Sequence, residues 1–354
     1  MDSVTQFTLG AAVSALILGK KIGPRKAALI GGVLGTLPDL DVLIPFETPV
    51  DDFVFHRGWT HSFFVQAAVT PIFGEALMRL FDGLRDARWR TYLAVFLVFV
   101  THSIIDAITI YGTRVFWPVY PDPVGVGSMF IIDPIYTIPI LSAVVWALFM
   151  ASETRRFRKV LVGALVVSTA YMGLSLVLQQ IVENRAKTIF AEAGIETGNL
   201  IATAGPLNTL VWRVIAREDD AYHNLYVSLL DSEPETQIYT HPRNPELAAC
   251  LNGNAEFEKL QWFSRGYYTA SLEGDRIVIS DIRMGLTPFY VFRFELAEFV
   301  DAQAMPITPV QTASDGRAAP GDWQWLQERL WGQPATRTVE AALSESNVPI
   351  TATC

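Results

Sequence analysis

Long apolar runs with few charges dominate the first half of the chain. Six stretches approach the roughly 20 residues that a helix needs to cross about 30 Å of hydrocarbon. They cover approximately residues 3–19, 27–45, 61–81, 91–111, 131–151 and 160–181. Pro38, Asp39, Asp41 and Pro45 interrupt the second stretch, whereas the last contains no charged residue. The pattern predicts an α-helical membrane bundle of about six transmembrane helices over residues 1–181.

Beyond residue 181 the apolar residues follow the shorter period that is typical of strands. The segments that show it are Leu210–Ala216, Tyr226–Leu230, Arg276–Ser280 and Phe289–Phe294. We therefore expect a small soluble α+β domain, mostly antiparallel β, over residues 182–305. Residues 306–354 are rich in Ala, Thr, Pro and Gly. There we expect a largely flexible tail that contains a short helix near Trp323–Trp331.

Basic residues of the first half are concentrated in three short connectors between the apolar runs. These connectors hold 12 of its 14 Lys and Arg: Lys20, Lys21, Arg25, Lys26, Arg79, Arg85, Arg88, Arg90, Arg155, Arg156, Arg158 and Lys159. With six spans, the connectors follow the first, third and fifth helices and lie on one face of the membrane. The positive-inside rule makes that face cytoplasmic. Both termini and the soluble domain are then expected outside.

The net charge of −9 arises almost entirely after residue 181. Residues 1–181 contain 14 basic and 13 acidic residues, which leaves 13 of the 27 basic and 23 of the 36 acidic residues for the remainder. An acidic domain without basic clusters is a poor match for nucleic acid, and we exclude that partner. The two cysteines, Cys250 and Cys354, lie in no metal-binding or redox motif. Whether they pair with each other stays open.

Polar and charged residues inside the apolar runs are costly in a bilayer and suggest function. They form the motifs Leu37–Asp41, His56–Ser62 and Thr101–Asp106, and Asp133 lies further along. A helical rise of about 1.5 Å per residue, counted from the basic connectors, puts them roughly 16 to 33 Å into the membrane. Since all of them fall in its outer half, we expect four helices to bring them together.

The candidate metal ligands in these motifs are histidines and aspartates. They are Asp39, Asp41, His56, His61, His102 and Asp106. His102 and Asp106 are four residues apart and share one face of a helix. In non-helical backbone, Asp39 and Asp41 can point to the same side. Mixed imidazole and carboxylate ligands suit zinc, manganese or iron better than calcium, and we expect zinc or manganese. Six candidate ligands are enough for one or two ions.

Other residues of the motifs are candidates for catalysis. Asp39 or Asp133 can act as a general base toward a metal-bound water. Arg57 has no evident acidic partner in the sequence and can clamp an anionic substrate group such as phosphate. Four hydroxyl residues are expected to hydrogen-bond to the ligands rather than to coordinate: Thr60, Ser62, Thr101 and Ser103.

At these motifs the sequence resembles the YdjM-type family, described as LexA-binding, inner-membrane-associated proteins with an inferred metal-dependent hydrolase activity. The matching features are Leu37–Asp41, His56–Ser62, His102, Asp106 and Tyr111–Pro118. They cover roughly residues 30–135, and Trp262–Tyr268 is similar to C-terminal extensions of larger members. The resemblance implies a location in the bacterial inner membrane. LexA binding concerns a cytoplasmic partner and disagrees with an outward-facing site, so we do not apply it to this chain.

These observations predict metal-dependent hydrolysis of a membrane lipid or a lipid-linked ester or phosphoester, at a site open to the periplasmic side. The sequence contains neither an HExxH motif nor a nucleophilic serine motif, so an ester or phosphoester is a more plausible substrate than a peptide bond. The alternative is a metal-ion transporter or a metal-sensing membrane scaffold that uses the same ligands. The apolar inner halves of the predicted helices favour the enzyme. The soluble domain is expected either to cap the site or to bind a protein partner.

Overall fold

The computed structural model of the chain describes residues 1–232, 237–300, 303–314, 316–346 and 350, which form two compact units. The helical unit comprises Met1–Ile44, His56–Val177 and Pro206–Asn208. The sheet unit comprises Pro45–Phe55, Leu178–Gly205 and Thr209–Cys354. The change at Val177 lies close to the predicted boundary at residue 181. The sheet unit also includes residues 45–55, however, which the sequence pattern assigns to the membrane domain.

The helices of the described residues follow one another along the whole chain. They are α1 (Ser3–Ile22), α2 (Pro24–Thr36), α3 (Pro49–Phe55), α4 (Phe63–Leu80), α5 (Arg88–Ile108), α6 (Pro134–Leu148), α7 (Arg155–Glu192), α8 (Pro245–Ala249), α9 (Ala255–Phe263), α10 (Asp322–Leu330) and α11 (Thr338–Ser346). Short 3₁₀ helices lie at Pro38–Leu43, Trp59–His61 and Asp82–Ala87. The last of these leads directly into α5.

Three of the described helical segments are long and apolar enough to cross a membrane. They are Phe63–Leu80, Asp82–Ile108 and Arg155–Glu192, and they match the predicted third, fourth and sixth stretches. Helices also form at the other predicted stretches, but α6 has only 15 residues and α2 only 13. α2 ends early because Pro38 has no backbone N–H with which to continue it. Six full-length spans are therefore not supported, and three candidate spans are.

The three basic connectors meet at one end of the helical unit. A Cβ atom added to Gly83, in the second connector, would lie 2.6 Å from the carbonyl oxygen of Lys21 in the first. A Cβ on Gly23 would lie 2.5 Å from the carbonyl oxygen of Ala151, which precedes the third. We call this end of the helical unit the basic end.

α1 and α2 form an antiparallel hairpin in which the two backbones are in direct contact. A Cβ atom on Gly31 would lie 2.2 Å from the carbonyl oxygen of Gly10 and 2.3 Å from Cβ of Ser14. A Cβ on Gly35 would lie 2.8 Å from the carbonyl oxygen of Gln6. Small residues permit such close approach of helices in membranes. The packing fixes the last turn of α2 beside the first turns of α1.

The described strands form two four-stranded antiparallel sheets and one two-stranded ribbon. Their order is β1-β2-β3-β4 in the first sheet, β10-β9-β6-β5 in the second and β7-β8 in the ribbon. The strands are β1 (Leu200–Ala204), β2 (Val211–Arg217), β3 (Ala221–Ser228), β4 (Ile238–Pro242), β5 (Tyr268–Glu273), β6 (Arg276–Asp281), β7 (Gly285–Leu286), β8 (Phe289–Tyr290), β9 (Arg293–Val300) and β10 (Gln303–Thr312). The prediction of antiparallel strands after the helices is confirmed.

The predicted strand positions agree with the structure to different degrees. Leu210–Ala216 and Arg276–Ser280 coincide with β2 and β6. β3 begins five residues before the predicted Tyr226, because its first half pairs with β2 although His223 and Asn224 lower its apolar content. The last predicted segment is divided between β8 and β9.

The segment Pro45–Phe55 belongs to the sheet unit and includes α3. The ring of Phe53 lies 4.3 Å from that of Phe292, 4.8 Å from Phe263 and 5.4 Å from Phe294, measured between centroids. Lys259 donates a hydrogen bond of 2.5 Å to Asp51, the acidic residue at the start of the helix. Aromatic packing of this kind stabilises the attachment beyond the area that it buries.

The described residues after Pro306 form more regular structure than the sequence predicts. α10 forms where the short helix is expected, and β10 and α11 flank it. Arg337 and Glu340 are buried, at 1% and 0% exposure, and Arg337 makes two hydrogen bonds of 2.8 Å to Asp322. The amino-acid composition suggests disorder here. It does not reveal that Arg337 pairs with Asp322 and Glu340 inside the unit, where their charges neutralise each other.

Cys250, His223 and His241, the described cysteine and histidine residues of the sheet unit, are not part of the predicted metal motifs. Cys250 is disulfide-bonded, and Cys354 lies outside the described residues. His223 lies 3.1 Å from a carboxylate oxygen of Glu218, and His241 lies 3.2 Å from Glu340. Both histidines are buried and engaged in these contacts.

Candidate metal centre

Four of the predicted ligands converge in the helical unit. Asp39 lies on the 3₁₀ helix after α2, His61 ends the 3₁₀ turn Trp59–His61, and His102 and Asp106 lie one turn apart on α5. One ligand atom from each residue lies within 4.8 Å of all the others. We call this group the His/Asp cluster. Three of its side chains are buried almost completely, and only that of Asp39 is partly exposed, at 23%.

Five of the six distances between the ligand atoms are 3.0–3.5 Å, close to those of a tetrahedral shell. Nε2 of His61 lies 3.0 Å from Nε2 of His102, 3.4 Å from Oδ1 of Asp39 and 3.3 Å from Oδ2 of Asp106. Nε2 of His102 lies 3.5 Å from each of these two oxygens. Tetrahedral bonds of about 2.0–2.2 Å would separate neighbouring ligand atoms by roughly 3.3–3.6 Å. The four side chains can therefore hold one ion.

Hydrogen bonds on the far side of each imidazole assign the tautomers. Nδ1 of His102 lies 2.7 Å from the carbonyl oxygen of Gly35, which can only accept, so Nδ1 carries the proton. Nδ1 of His61 lies 2.9 Å from the hydroxyl of Thr60, which donates to Asp41 at 2.8 Å and so accepts from the ring. Both rings then direct the lone pair of Nε2 into the cluster, as metal-ligating histidines do.

The carboxylate oxygens that face the rings lack hydrogen-bond donors. Among the described residues, Oδ1 of Asp39 and Oδ2 of Asp106 are buried atoms without a hydrogen-bond partner. Buried acceptors left in this state cost free energy unless a positive charge compensates them. Two such oxygens together with two nitrogen lone pairs form an electron-rich site. These donor atoms fit a divalent cation.

Arg57 lies beside the cluster and has the acidic neighbour that the sequence did not reveal. Its Nε lies 3.2 Å from Oδ2 of Asp106 without hydrogen-bond geometry, and Nη1 donates to Thr109 at 3.4 Å. The guanidinium carbon lies 5.0 Å from the ring centroid of Tyr111. The guanidinium is thus held next to a candidate ligand, within reach of an anion bound at the same place.

Asp41 and His56 are neighbours of the cluster and pair with each other. Nδ1 of His56 lies 2.8 Å from Oδ1 of Asp41. Oδ2 of Asp41 accepts from the backbone N–H of Arg57 at 2.9 Å and lies 3.6 Å from Nδ1 of His61. The left-handed backbone of Arg57, with φ at 58°, directs its N–H to that carboxylate. Asp41 therefore orients His61, and metal ligation by Asp41 and His56 stays a prediction.

Asp133 caps a helix instead of facing the four ligands. Its Oδ1 accepts from the N–H groups of Ile135 and Tyr136 at 3.0 and 3.2 Å, and Oδ2 accepts from the hydroxyl of Tyr171 at 2.8 Å. These contacts satisfy the first turn of α6. The structure does not bring Asp133 into the His/Asp cluster, and its role as a base remains untested.

The predicted hydroxyl partners and two unpredicted groups complete the site. Of the four hydroxyl residues, only Thr60 has a described hydrogen bond to a predicted ligand. The sequence did not predict two groups that hydrogen-bond to the cluster. They are Gln6, which donates to Oδ1 of Asp106 at 2.8 Å, and the carbonyl of Gly35, which accepts from His102. A lone glutamine in the apolar run of α1 is a usable signal, whereas a backbone carbonyl leaves none. The amino group of Met1 also contacts Asp106.

Comparison with protein families gives one finding. The model of a family described as YdjM inner membrane protein matches residues 1–182, just over half of the chain. The match covers all four residues of the His/Asp cluster together with Arg57, and it ends within α7. Neither the curated proteins nor the solved structures contain a match to the chain.

Proposed function

Since the chain belongs to the YdjM inner membrane protein family, we propose that it is a metal-dependent hydrolase of that membrane. In this proposal Asp39, His61, His102 and Asp106 hold one divalent ion, zinc or manganese. The substrate is a membrane lipid or a lipid-linked ester or phosphoester. The single observation that carries the proposal is the convergence of four acceptor atoms at tetrahedral spacing, two of them buried without a hydrogen-bond donor.

The chemistry follows from the residues around the cluster. A divalent ion lowers the pKa of a bound water toward 7 and polarises the scissile group. Asp39 is the only partly exposed member, so a water approaches on its side and its carboxylate serves as the proton acceptor. Arg57 binds an anionic oxygen of the substrate through its guanidinium. Asp41 and Thr60 keep the His61 ring in the orientation that directs Nε2 inward.

Exposed apolar residues beside the cluster support a lipid substrate. In the 3₁₀ helix that carries Asp39, Leu40 is 50% exposed, Val42 69% and Leu43 73%. Trp59, two residues before His61, is 48% exposed. The carboxylate of Asp39 faces inward, whereas the apolar side chains beside it face outward. This arrangement suits an amphipathic substrate, whose chains stay in the hydrocarbon while its polar group enters the site.

We further propose that the cluster and the sheet unit lie on the periplasmic side. The basic connectors gather at one end of the helical unit, and the positive-inside rule assigns that end to the cytoplasm. α1, α2 and α6 each have one end at these connectors, and in this proposal they cross the membrane together with the three candidate spans.

One observation favours a second function, a metal-sensing scaffold. Four protein ligands saturate a tetrahedral zinc ion, and closed sites of that kind are usually structural. Transport receives less support, because apolar side chains such as Leu18, Val95 and Val98 fill the core between the cluster and the basic end. For hydrolysis, the ion must also bind a water, so either Asp39 must leave the ion or the ion must accept a fifth ligand.

Metal analysis of the purified full-length chain, followed by a phospholipid and lipid-phosphate hydrolysis screen, tests the proposal. We expect about one zinc or manganese per chain, and release of a fatty acid or phosphate that stops on chelation. A protein that retains its metal but hydrolyses neither class of bond would support the scaffold. Movement of the ion across sealed vesicles without hydrolysis would support transport.

A further inference from the structure

Guanidinium groups line a depression at the basic end of the helical unit. Its volume is about 240 Å³, and the residues around it are Glu75, Met78, Arg79, Arg85 and Arg88. They come from the end of α4, the 3₁₀ helix Asp82–Ala87 and the start of α5. Along α5, Arg88 precedes His102 by a distance of roughly 21 Å at the helical rise, so this pocket is separate from the His/Asp cluster. We call it the arginine pocket.

The acidic groups around the arginine pocket are already engaged by two of its arginines. Nε of Arg88 donates to Glu75 at 3.0 Å and to the hydroxyl of Tyr92 at 2.9 Å. Arg85 forms an exposed ion pair of 2.8 Å with Asp82, three residues before it. Exposed pairs of this kind contribute little and exchange readily. Nε of Arg85 also donates to the carbonyl oxygen of Met78 at 3.3 Å, so an anion would bind through the terminal nitrogens of this guanidinium.

Arg79 adds a third guanidinium to the pocket, and its charge also acts on the carboxylate of Glu75. Its side chain is exposed, and within the described part of the chain it has neither a hydrogen bond nor an ion pair. It lies four residues after Glu75, on the same face of α4. A planar guanidinium that is free on this side can form two parallel hydrogen bonds to a phosphate group.

Large apolar side chains stand next to these charges. Leu80, adjacent to Arg79, is 73% exposed, and Trp89, adjacent to Arg88, is 82% exposed. Tryptophan at the end of a membrane helix usually lies at the level of the lipid headgroups. A ligand for this place therefore has a phosphate group and an apolar part, which is the chemistry of a phospholipid rather than of a soluble anion.

We propose that the arginine pocket binds the headgroup of an anionic phospholipid. Arg79 and Arg85 bind the phosphate, Arg88 remains paired with Glu75 and shapes the wall, and the acyl chains lie along Leu80 and Trp89. Basic pockets at helix ends are known to select acidic lipids from the surrounding membrane. The bound lipid then anchors the connector between α4 and α5 at the interface.

Native mass spectrometry of the full-length protein in detergent, titrated with phosphatidylglycerol or phosphatidylcholine of the same chains, tests this site. We expect saturable binding of phosphatidylglycerol and much weaker binding of phosphatidylcholine. Each lost guanidinium should weaken phosphatidylglycerol binding about five-fold, so Arg79→Gln with Arg85→Gln should weaken it about 25-fold. Arg79→Gln alone should weaken it about five-fold and, because no described hydrogen bond or ion pair involves its side chain, should leave the fold unchanged.

Arg155→Gln with Arg156→Gln is the matched control, since it removes the same charge from the third basic connector. We expect it to change phosphatidylglycerol binding less than about two-fold. Equal losses in the two double variants would show diffuse attraction to the basic end and would overturn the proposal. Displacement of the lipid by millimolar glycerol phosphate, without acyl chains, would assign the pocket to a soluble anion and would overturn it as well.

Discussion

Nδ1 of His102 donates a hydrogen bond of 2.7 Å to the carbonyl oxygen of Gly35, which joins the centre of the His/Asp cluster to the last turn of α2. The bond fixes both the tautomer of the ring and the direction of Nε2. It also makes the geometry of the site depend on how closely α1 and α2 pack. The predictions that follow separate the ligands from the groups that hold them.

His102→Ala should remove the bound metal while the protein stays folded in the membrane. The side chain provides one of four ligand atoms, and the loss of one ligand lowers the affinity for an ion directly. Hydrolysis of any lipid ester or phosphoester should disappear with it. Metal content and turnover are measured on the same purified sample. Thr101→Ala is the control, because its hydroxyl bonds to the carbonyl of Leu97 within α5.

Gly31→Ala should reduce metal content without any change to a ligand. The new Cβ would lie 2.2 Å from the carbonyl oxygen of Gly10, which is backbone and cannot move aside, so α2 must shift. Such overpacking typically costs about 1–3 kcal/mol. Unfolding in detergent and metal analysis measure both effects. Gly163→Ala on α7 is the matched control, since no atom lies within 4 Å of its added Cβ.

The convergence of the four ligands could be predicted from the sequence because it depends on regular geometry. His102 and Asp106 share a helix face at a spacing of four residues, and depth along alternating helices places Asp39 and His61 at the same level. Which of the neighbouring aspartate and histidine residues join the cluster could not be predicted. It depends on the 3₁₀ turn at Asp39 and on the left-handed backbone at Arg57, which turn Asp41 toward the far side of the His61 ring.

The number of full-length spans could not be predicted either. Hydropathy marks where apolar residues accumulate, but Pro38 divides the second stretch into α2 and a 3₁₀ helix. The position of residues 45–55 depends on contacts of Phe53 with rings more than 200 residues away along the chain. Local patterns carry no information about such a pairing, whereas the strand periods that located β2 and β6 are local.

Arg57→Gln should keep the metal and lower turnover. A guanidinium cannot ligate a cation, but it can bind an anionic substrate oxygen. One charge-assisted hydrogen bond is worth about 1.5–3 kcal/mol, so kcat/KM should fall by roughly one to two orders of magnitude. Steady-state kinetics on the metal-loaded variant measure this. Loss of the metal itself would instead show that Arg57 is needed to neutralise Asp106.

Asp133→Asn should leave metal content and turnover close to those of the unchanged protein. Its described contacts cap the first turn of α6, and asparagine is an equally good cap. Asp39→Asn should abolish turnover in the same assay, because Asp39 lies in the cluster. If Asp133→Asn kept the metal and abolished turnover, Asp133 would be the general base and Asp39 only a ligand.

The sheet unit should lose stability in acid through Glu340. Burial alone would raise the pKa of its carboxyl, but the hydrogen bond with His241 and the charges of Arg213 and Arg337 lower that pKa from 4.5 to about 2. A lowered pKa means that the stabilisation is complete above about pH 4.5 and is lost as the pH falls toward 2. The difference corresponds to roughly 3 kcal/mol.

Unfolding of the full chain in detergent, followed by the fluorescence of the buried Trp212 and Trp325, measures this dependence. Glu340→Gln should destabilise the unit at neutral pH and flatten the decline between pH 4.5 and 2. Glu345→Gln, an exposed residue on the same helix α11, is the control and should leave the pH profile unchanged. An identical decline in Glu340→Gln would assign the acid sensitivity to other groups.

The membership of Phe53 in the sheet unit affects how the protein is made. Phe294, one of its ring partners, leaves the ribosome about 240 residues later, which at 5–20 residues per second takes roughly 12 to 50 s. For most of that interval the nascent chain contains every residue of the His/Asp cluster, while Phe53 still lacks its contact with Phe294. Each newly made molecule therefore passes through a stage in which the contact between Phe53 and Phe294 is missing, and a chain truncated before residue 294 remains in it.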